Sequence, residues 1–243
     1  MNRARRLKEL RAVWNKCQAC NLHKASSQVV HGGGYVGEEG DRPTVMFIGQ
    51  APGTTEDEHG MPFIGAAGEL LMETLMHLFT EDEGVAQFIP TKKGEEIDFV
   101  SLREVLNQRV YFTNIVSCWP PGDREPATGE VKACRPRLHE EIRLVDPVLI
   151  IALGKVAQKH LTKDRGSIEN ARGKLHTVKV PGVATTIAYP VYVTYHPSHI
   201  SRLGDFNSKG GKFETWYKDL SDALGLVDYH NHRLFGDDIP NRE

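Results

Sequence analysis

The four cysteines of the chain are the residues whose spacing points most directly to chemistry. Cys17 and Cys20 form a C-x-x-C pair in the polar stretch CQACNLHK, and Cys118 and Cys134 follow far along the chain. Four thiolates can hold either a tetrahedral zinc ion or a [4Fe-4S] cluster. Unrelated buried cysteines are the alternative, but the polar surroundings of the first pair argue against it. The spacing predicts a closed, structural metal centre and leaves the metal open.

Three short polar segments follow predicted strands and form a second group of candidate functional residues. GQAPG begins at Gly49, TN ends at Asn114, and HPS begins at His196. In a parallel α/β sheet, ligands bind in the crevice beyond the carboxyl ends of the strands. We therefore expect these three segments to meet in one cleft.

Hydrophobic patterns predict the elements that position these segments. Continuous apolar runs predict buried strands at residues 44–48, 110–116, 148–153 and 191–195. Helical spacing of apolar residues predicts helices at residues 3–16, 65–79, 155–161 and 213–224, with another ending before Pro147. This alternation predicts an α/β fold of three layers, α/β/α, in which helices cover both faces of a central parallel sheet.

Two internal segments and the end of the chain have weaker patterns. Residues 24–41 are rich in glycine and are predicted to be a loop. Residues 80–108 are predicted to be an insertion that leaves the core. We expect a single domain over residues 1–227, followed by a loose C-terminal tail at 228–243.

Composition limits the class of protein. The chain has 243 residues, 40% of them hydrophobic, which is enough for one sizeable core. No apolar run approaches the roughly 20 residues that span a bilayer, and the basic start lacks the apolar run of a secretory signal. We expect a cytoplasmic monomer with no membrane partner. Because the formal net charge is -2, any DNA-binding surface must gather its basic residues on one face.

With these segments in order, the chain resembles the family-4 uracil-DNA glycosylases, the iron–sulfur branch of that superfamily. The matching pieces are CQACNLHK (17–24), GQAPGTTEDEHGMPFIGAAGELL (49–71), YFTNIVSCWPPGDREPATGEVKACRP (111–136), VLIIALGKVA (148–157) and TYHPSHISR (194–202). Each piece alone is weak evidence, but five in this order are specific. The resemblance implies the fold of that superfamily and a [4Fe-4S] cluster, in preference to zinc, on the four cysteines.

The resemblance also implies an activity. The chain is expected to hydrolyse the N-glycosidic bond of uracil in DNA and leave an abasic site for base excision repair, without cutting the strand. Such an enzyme must flip the base out of the duplex. It must also stabilise the uracil anion as it leaves.

Three side chains carry the expected recognition of the base. Phe63 would stack on the everted uracil, and Asn114 would pair its carboxamide with uracil O4 and N3–H. His196 would donate a hydrogen bond to uracil O2. The residues alone also allow a core phenylalanine, a strand-end asparagine that satisfies a turn, and a structural histidine.

The segment after the first predicted strand departs from the family pattern. Gly49, Gln50 and Ala51 would place backbone N–H groups against a uracil carbonyl, because glycine permits close approach. However, Gln50 replaces the family-4 Glu, and Ala51 stands where family-1 enzymes place a water-activating Asp. Glu56 could steer the water or the sugar cation, or it could be a solvated loop charge beside Asp57. Since a dissociative reaction needs no strong base, we expect activity to survive.

The segment HPSHISR provides the expected contacts with DNA. Ile200 sits where superfamily members place an apolar wedge that fills the gap left by the base, although a core residue at a helix start is equally consistent. Ser198 and Arg202, together with His199 and Ser201, would contact phosphates.

Two other functions fit the same sequence. Gln50 and the insertion at 80–108 favour a superfamily member that excises another modified pyrimidine. A catalytically silent DNA-binding relative would bind DNA in a salt-dependent way and release no base. The HPS segment lacks the basic insert of the branch that traps uracil covalently, which argues against a suicide-type binder.

Overall fold

A six-stranded sheet forms the centre of the computed structural model, which describes residues 2–37, 44–80, 82–92, 94–204, 209–228 and 233–234. Its strands are β1 (Gly33–Gly34), β2 (Val45–Gly49), β3 (Val110–Asn114), β4 (Leu149–Leu153), β5 (Leu175–Pro181) and β6 (Thr186–Thr194). The order across the sheet is β1-β3-β2-β4-β6-β5. The four central strands are parallel, as expected, while the edge strands β1 and β5 pair antiparallel with their neighbours.

Helices cover both faces of this sheet. The helices of the described residues are α1 (Arg3–Trp14), α2 (Thr54–His59), α3 (Ala66–Leu78), α4 (Glu83–Ala86), α5 (Phe99–Leu106), α6 (Thr128–Val145), α7 (Gly154–Leu161), α8 (Ile168–Ala171), α9 (Pro197–Leu203) and α10 (Lys212–Gly225). One core joins α3, α5 and α10 to Phe47 and Phe112. A second core joins α1, α6 and α7 to Met46 and Ile48 on the opposite face. The expected three-layer α/β/α architecture is confirmed.

None of the described helices combines the length and the apolar character needed to cross a membrane.

The central strands follow from their composition. Every residue of β2, β3 and β4 is buried, as expected for strands that are covered on both faces. The chain passes from β2 to β3 on one side and returns to β4 on the other. This reversal opens a crevice beyond the carboxyl end of β2, where α/β sheets bind their ligands.

The edge strands differ from the sequence expectation. β1 lies within residues 24–41, which were predicted to be a loop. Glycine does not favour strands, so this strand forms only because Gly33 pairs with Phe112 of β3. β5 was not predicted. The strand predicted at 191–195 begins at Thr186 and ends at Thr194, because the added residues pair with β5.

The expectation that residues 80–108 leave the core is wrong for much of this segment. α4 and α5 lie within it, and Val85, Leu102 and Leu106 are fully buried in the core that α3 also joins. Other apolar residues of the segment, such as Phe88, Ile89 and Phe99, pack against the same core. They fall in two groups separated by the polar stretch 91–96, so no single helical repeat was evident.

Part of the C-terminal segment 228–243 is ordered rather than loose. A small antiparallel pair joins β7 (Val227–Asp228) to β8 (Arg233–Leu234). Residues 229–232 and 235–243 lie outside the described residues. The domain boundary at residue 227 stays a prediction.

A buried ion pair connects α6 to β3. Arg137 contacts Glu141 one turn later, and both side chains are almost fully buried. Glu141 also accepts hydrogen bonds from Tyr111 and Thr113, each at 2.8 Å. Arg137 donates to the backbone carbonyl of Asn114 at 2.6 Å. The pair therefore fixes the end of β3, from which Asn114 projects.

Removing one member of this pair should strongly destabilise the protein. Arg137→Leu leaves the Glu141 carboxylate buried without its cation, so we expect a loss of about 3–5 kcal/mol in the free energy of unfolding, measured by urea denaturation. Lys218 and Asp222 form a matched control with the same spacing on the exposed face of α10, and Lys218→Met should cost less than about 1 kcal/mol. Equal losses in both variants would contradict the role of burial.

Candidate active site

A cavity of about 680 Å³ opens at the carboxyl ends of the central strands. It brings together side chains that lie far apart in the sequence, namely those of Gln50, Ala51, Phe63, Asn114 and His196. The expected convergence of GQAPG, TN and HPS in one cleft is therefore present.

The closest approach in the site occurs at Gly49, the last residue of β2. Gly49 pairs in register with Asn114 of β3. A β-carbon placed on Gly49 would come within 2.5 Å of Asn114 Oδ1 and 2.6 Å of the Phe63 ring. Real β-carbon contacts are not so short, so only glycine permits this arrangement.

Phe63 forms one wall of the cavity. Its ring centroid lies 6.4 Å from that of His196, and the two ring planes are inclined by 29°. The backbone of Phe63 adopts a φ of 55°, in the left-handed region that is unfavourable for a residue with a β-carbon. Such a conformation persists only when neighbouring groups hold it, and it is often found at functional sites.

His196 follows β6 and caps the start of α9. The backbone N–H of Ser198 donates to His196 Nδ1 at 3.2 Å, and Ser198 Oγ lies 2.8 Å from the same nitrogen. Because Nδ1 accepts, the neutral ring carries its proton on Nε2. Burial, reinforced by the charges of Arg202 and His199, lowers the pKa of His196 to about 4. His196 is therefore a neutral donor through Nε2 at pH 7.

A glycine also makes room for His196. Gly154 begins α7 directly after β4 and has a φ of 85°. A β-carbon on Gly154 would lie 2.8 Å from the β-carbon of His196. Residues at the ends of β4 and β6 therefore pack together without an intervening side chain.

Glu56 is neither a solvated loop charge nor a free carboxylate in the cavity. Only 9% of the residue is exposed, and its carboxylate accepts hydrogen bonds from the backbone N–H groups of Gly53, Ile64 and Gly65 at 2.7–3.0 Å. These contacts connect α2 to the turn that carries Phe63. Asp57 is likewise buried, where it accepts hydrogen bonds from Ser26 and from the Ser27 backbone.

Several residues of the cavity were missed by sequence reasoning. Asp123 lines it with a left-handed backbone, and Asp123 Oδ1 accepts a hydrogen bond from the Trp119 indole at 2.7 Å. Pro120, Pro121 and Gly122 predicted a loop here, but the sequence did not indicate that this loop lines the cavity. Gln50 Nε2 donates to the Arg124 carbonyl at 3.4 Å, so the same turn also contacts Gln50.

The structure places the HPSHISR residues in different environments. Ile200 is 1% exposed and packs in the core that faces α3, which favours the core interpretation over a DNA wedge. Leu203, one turn later, is 47% exposed. Arg202, His199 and Ser198 all line the cavity, although Ser198 Oγ is directed at His196 rather than at solvent.

The lining of the cavity carries mixed charge rather than a predominance of basic residues. Arg124, Lys155 and Arg202 line it together with Glu125 and Glu169. The requirement for basic residues gathered on one face is therefore not met by the cavity lining itself.

The four cysteines lie near one another, between α1, the end of β3 and α6. Burial is the main cause that raises the pKa of Cys118 to about 12, and the thiols of Cys134, Cys20 and Cys17 raise it further. No group of three or more His, Cys, Asp or Glu side chains among the described residues is arranged to hold a single metal ion. A tetrahedral zinc ion would need sulfur atoms about 3.8 Å apart, given Zn–S bonds of about 2.3 Å.

The surroundings of the cysteines offer donors for a group with sulfur atoms. Burial alone would lower the pKa of Arg137, but the Glu141 carboxylate and, after it, the adjacent Cys134 thiol raise it overall. Arg137 therefore lies in contact with the Cys134 thiol. Arg137 Nε and Ser117 Oγ are buried and have no hydrogen-bond partner among the described residues. Unpartnered N–H and O–H groups of this kind suit a bound group whose sulfur atoms accept hydrogen bonds.

Comparison with known proteins agrees with this geometry. The family model described as the uracil DNA glycosylase superfamily matches residues 36–221. A type-4 uracil-DNA glycosylase of Pyrobaculum aerophilum is 34% identical over 223 residues, which cover 90% of this chain and 93% of that protein. The type-4 enzyme of Archaeoglobus fulgidus is 30% identical over 222 residues, covering 88% and 93% of the two chains. This chain therefore belongs to the uracil DNA glycosylase superfamily and, within it, to the type-4 branch.

Proposed function

We propose that this chain hydrolyses the N-glycosidic bond of uracil in DNA and leaves an abasic site. The observation that carries the proposal is the convergence of the Phe63 ring, the Asn114 amide and the His196 imidazole on one cavity. The type-4 relatives favour uracil over another modified pyrimidine, and the three converging groups argue against a silent DNA-binding role.

The cavity supports recognition of an everted pyrimidine. The ring of Phe63 provides a flat apolar face for stacking. Asn114 is 4% exposed, and its carboxamide offers one acceptor and two donors. This group can accept from uracil N3–H and donate to O4 at the same time. Cytosine presents the opposite pattern at these two positions, so an Asn114 amide held in this orientation would favour uracil.

Bond cleavage places negative charge on the departing uracil. His196 Nε2–H would donate to uracil O2. Gln50 and Ala51 line the same cavity, and we expect their backbone N–H groups to donate to the uracil carbonyl as well. Donors that are already in place stabilise the developing charge without reorganisation. A neutral imidazole suits this role, because it donates its hydrogen bond without surrendering the proton.

The attacking water has no dedicated base at the positions where related families provide one. Ala51 carries no carboxylate, and the three backbone hydrogen bonds of Glu56 hold that carboxylate in a structural role. We infer that the C1′–N1 bond breaks first and that water then adds to the oxocarbenium ion, losing a proton to solvent. Arg202 and His199 would contact the flanking phosphates.

We infer that Cys17, Cys20, Cys118 and Cys134 hold a [4Fe-4S] cluster in preference to zinc. With four protein ligands the cluster would have no open position for substrate, so its role would be structural and it would crosslink the chain. It would tie the segment after α1 to the end of β3 and to α6. A monomeric state and a cytoplasmic location stay predictions.

The activity is tested with a uracil-containing duplex followed by alkali. A backbone break that appears only after alkali would report an abasic site. His196→Ala and Asn114→Ala should each slow release on the order of 10²–10³-fold with unchanged circular dichroism, while His77→Ala on the exposed face of α3 should match the wild type. Wild-type protein that cuts a thymine or hydroxymethyluracil duplex and ignores uracil would refute the proposal.

The pH dependence tests the state of His196. Since the pKa of His196 is lowered to about 4, the ring stays neutral as the pH falls from 8 to 5 and takes up a proton only below that. We expect single-turnover rates without an inflection near pH 6.5 and a decline only below about pH 5. An inflection near 6.5 that disappears in His196→Gln would mean that the ring titrates normally.

The metal centre is tested by composition rather than by activity. Purified protein should contain iron and acid-labile sulfide in equal amounts and absorb visible light. Cys118→Ser should lower iron content and thermal stability together, because cluster binding contributes to folding, whereas Ser221→Ala on the exposed face of α10 should retain iron. Stoichiometric zinc in place of iron would contradict the assignment.

A further inference from the structure

The turn that carries Phe63 is held from two sides by opposite charges. On one side, Glu56 accepts from the N–H groups of Ile64 and Gly65. On the other, Arg103 of α5 donates to the Phe63 carbonyl at 2.8 Å and to the Pro62 carbonyl at 2.5 Å. Two carbonyls and two N–H groups of residues 62–65 are therefore hydrogen-bonded to charged side chains.

Arg103 is unusual for a charged residue. It is 9% exposed, and its partners in the turn are backbone carbonyls rather than a carboxylate. Its guanidinium also lies 5.7 Å from the centroid of the Phe112 ring, which packs against Phe63. Burying a charge is costly unless hydrogen bonds compensate it, so a packing role alone would be better met by an apolar residue.

The unfavourable backbone conformation of Phe63 explains why a buried arginine is needed beside it. A φ of 55° at Phe63 is intrinsically unfavourable, and a ring free to leave it would no longer face His196. Gly68 of α3 has no space for a β-carbon, which would lie 2.1 Å from the Phe63 carbonyl oxygen. α3 and Arg103 thus both contact the Phe63 carbonyl, and together they restrict the turn to one conformation.

We propose that Arg103 is a positioning residue that holds the Phe63 ring where it stacks on the everted uracil. The planar guanidinium suits the task because its fork reaches two successive carbonyls at once, which a lysine ammonium cannot match in fixed geometry. The inference rests on the proposed function, since it assigns Phe63 to stacking on the base. It gives the segment at 80–108 a role in supporting the substrate site from outside the cavity.

The test separates contact with the base from contact with the rest of the DNA. Binding is measured by fluorescence anisotropy to two duplexes that differ at one position. One carries 2′-fluoro-2′-deoxyuridine, which resists cleavage, and the other carries a tetrahydrofuran abasic analogue. The ratio of the two affinities reports what the base adds. Arg103→Met should lower this ratio about tenfold and leave affinity for the abasic duplex within about twofold of wild type.

A matched control and a double variant identify the route of the effect. Arg109 directly follows this segment, between α5 and β3, and donates two hydrogen bonds to Asp82, outside the cavity, so Arg109→Met should preserve the ratio. In a Phe63→Ala background, Arg103→Met should lower the ratio no further, because interacting residues are not additive. Arg103→Lys, which keeps the charge, should recover only part of the ratio and serves as the test variant if Arg103→Met fails to fold.

Each contrary outcome has a distinct meaning. An unchanged ratio in Arg103→Met, or an equal loss of affinity for both duplexes, would overturn the role of Arg103 and leave the proposed function intact. The same holds if the loss recurs undiminished in the Phe63→Ala background. Wild-type protein that binds both duplexes equally and releases no uracil would instead overturn the proposed function, and the role of Arg103 with it.

Discussion

The absence of a side chain at Gly49 is the constraint on which the site depends. β2 lies between β3 and β4, so its last residue is surrounded by the groups that line the cavity. The amide of Asn114 and the ring of Phe63 both occupy the space that a β-carbon would take. A methyl group there would push at least one of these side chains away. The backbones that carry them are held in place, that of Asn114 by the Arg137 hydrogen bond to its carbonyl and that of Phe63 by Glu56 and Arg103.

Buried charge maintains this geometry on both sides of the sheet. Arg137 and Glu141 lie under β3 on the face that α6 covers, and Arg103 lies on the face that α3 and α5 cover. In each case an arginine donates to a backbone carbonyl of a cavity residue, Asn114 in one and Phe63 in the other. Backbone groups held in this way are already in position in the protein without substrate, which is the preorganisation that catalysis requires.

Much of this arrangement could be predicted from the sequence because it follows from local patterns. Continuous apolar runs marked the buried strands, and polar residues at their ends marked the crevice. The edge strands were harder, since β1 consists of two glycines and is ordered only by β3. Arg103 could not be found from its neighbours along the chain, because its partners lie 40 positions away in the sequence. Ile200 shows the converse limit, since a motif position does not say whether its side chain faces DNA or the core.

The edges of the sheet have a consequence for how the protein behaves at high concentration. Exposed strand edges are templates on which other chains can polymerise. Here one edge is a strand of only two residues, too short to seed an intermolecular ladder. The other, β5, carries Lys179 and ends at Pro181, and proline interrupts any ladder that tries to extend past it. The two outermost strands thereby disfavour aggregation through the edges of the sheet. Because they cover the interior strands, those strands can be almost wholly apolar.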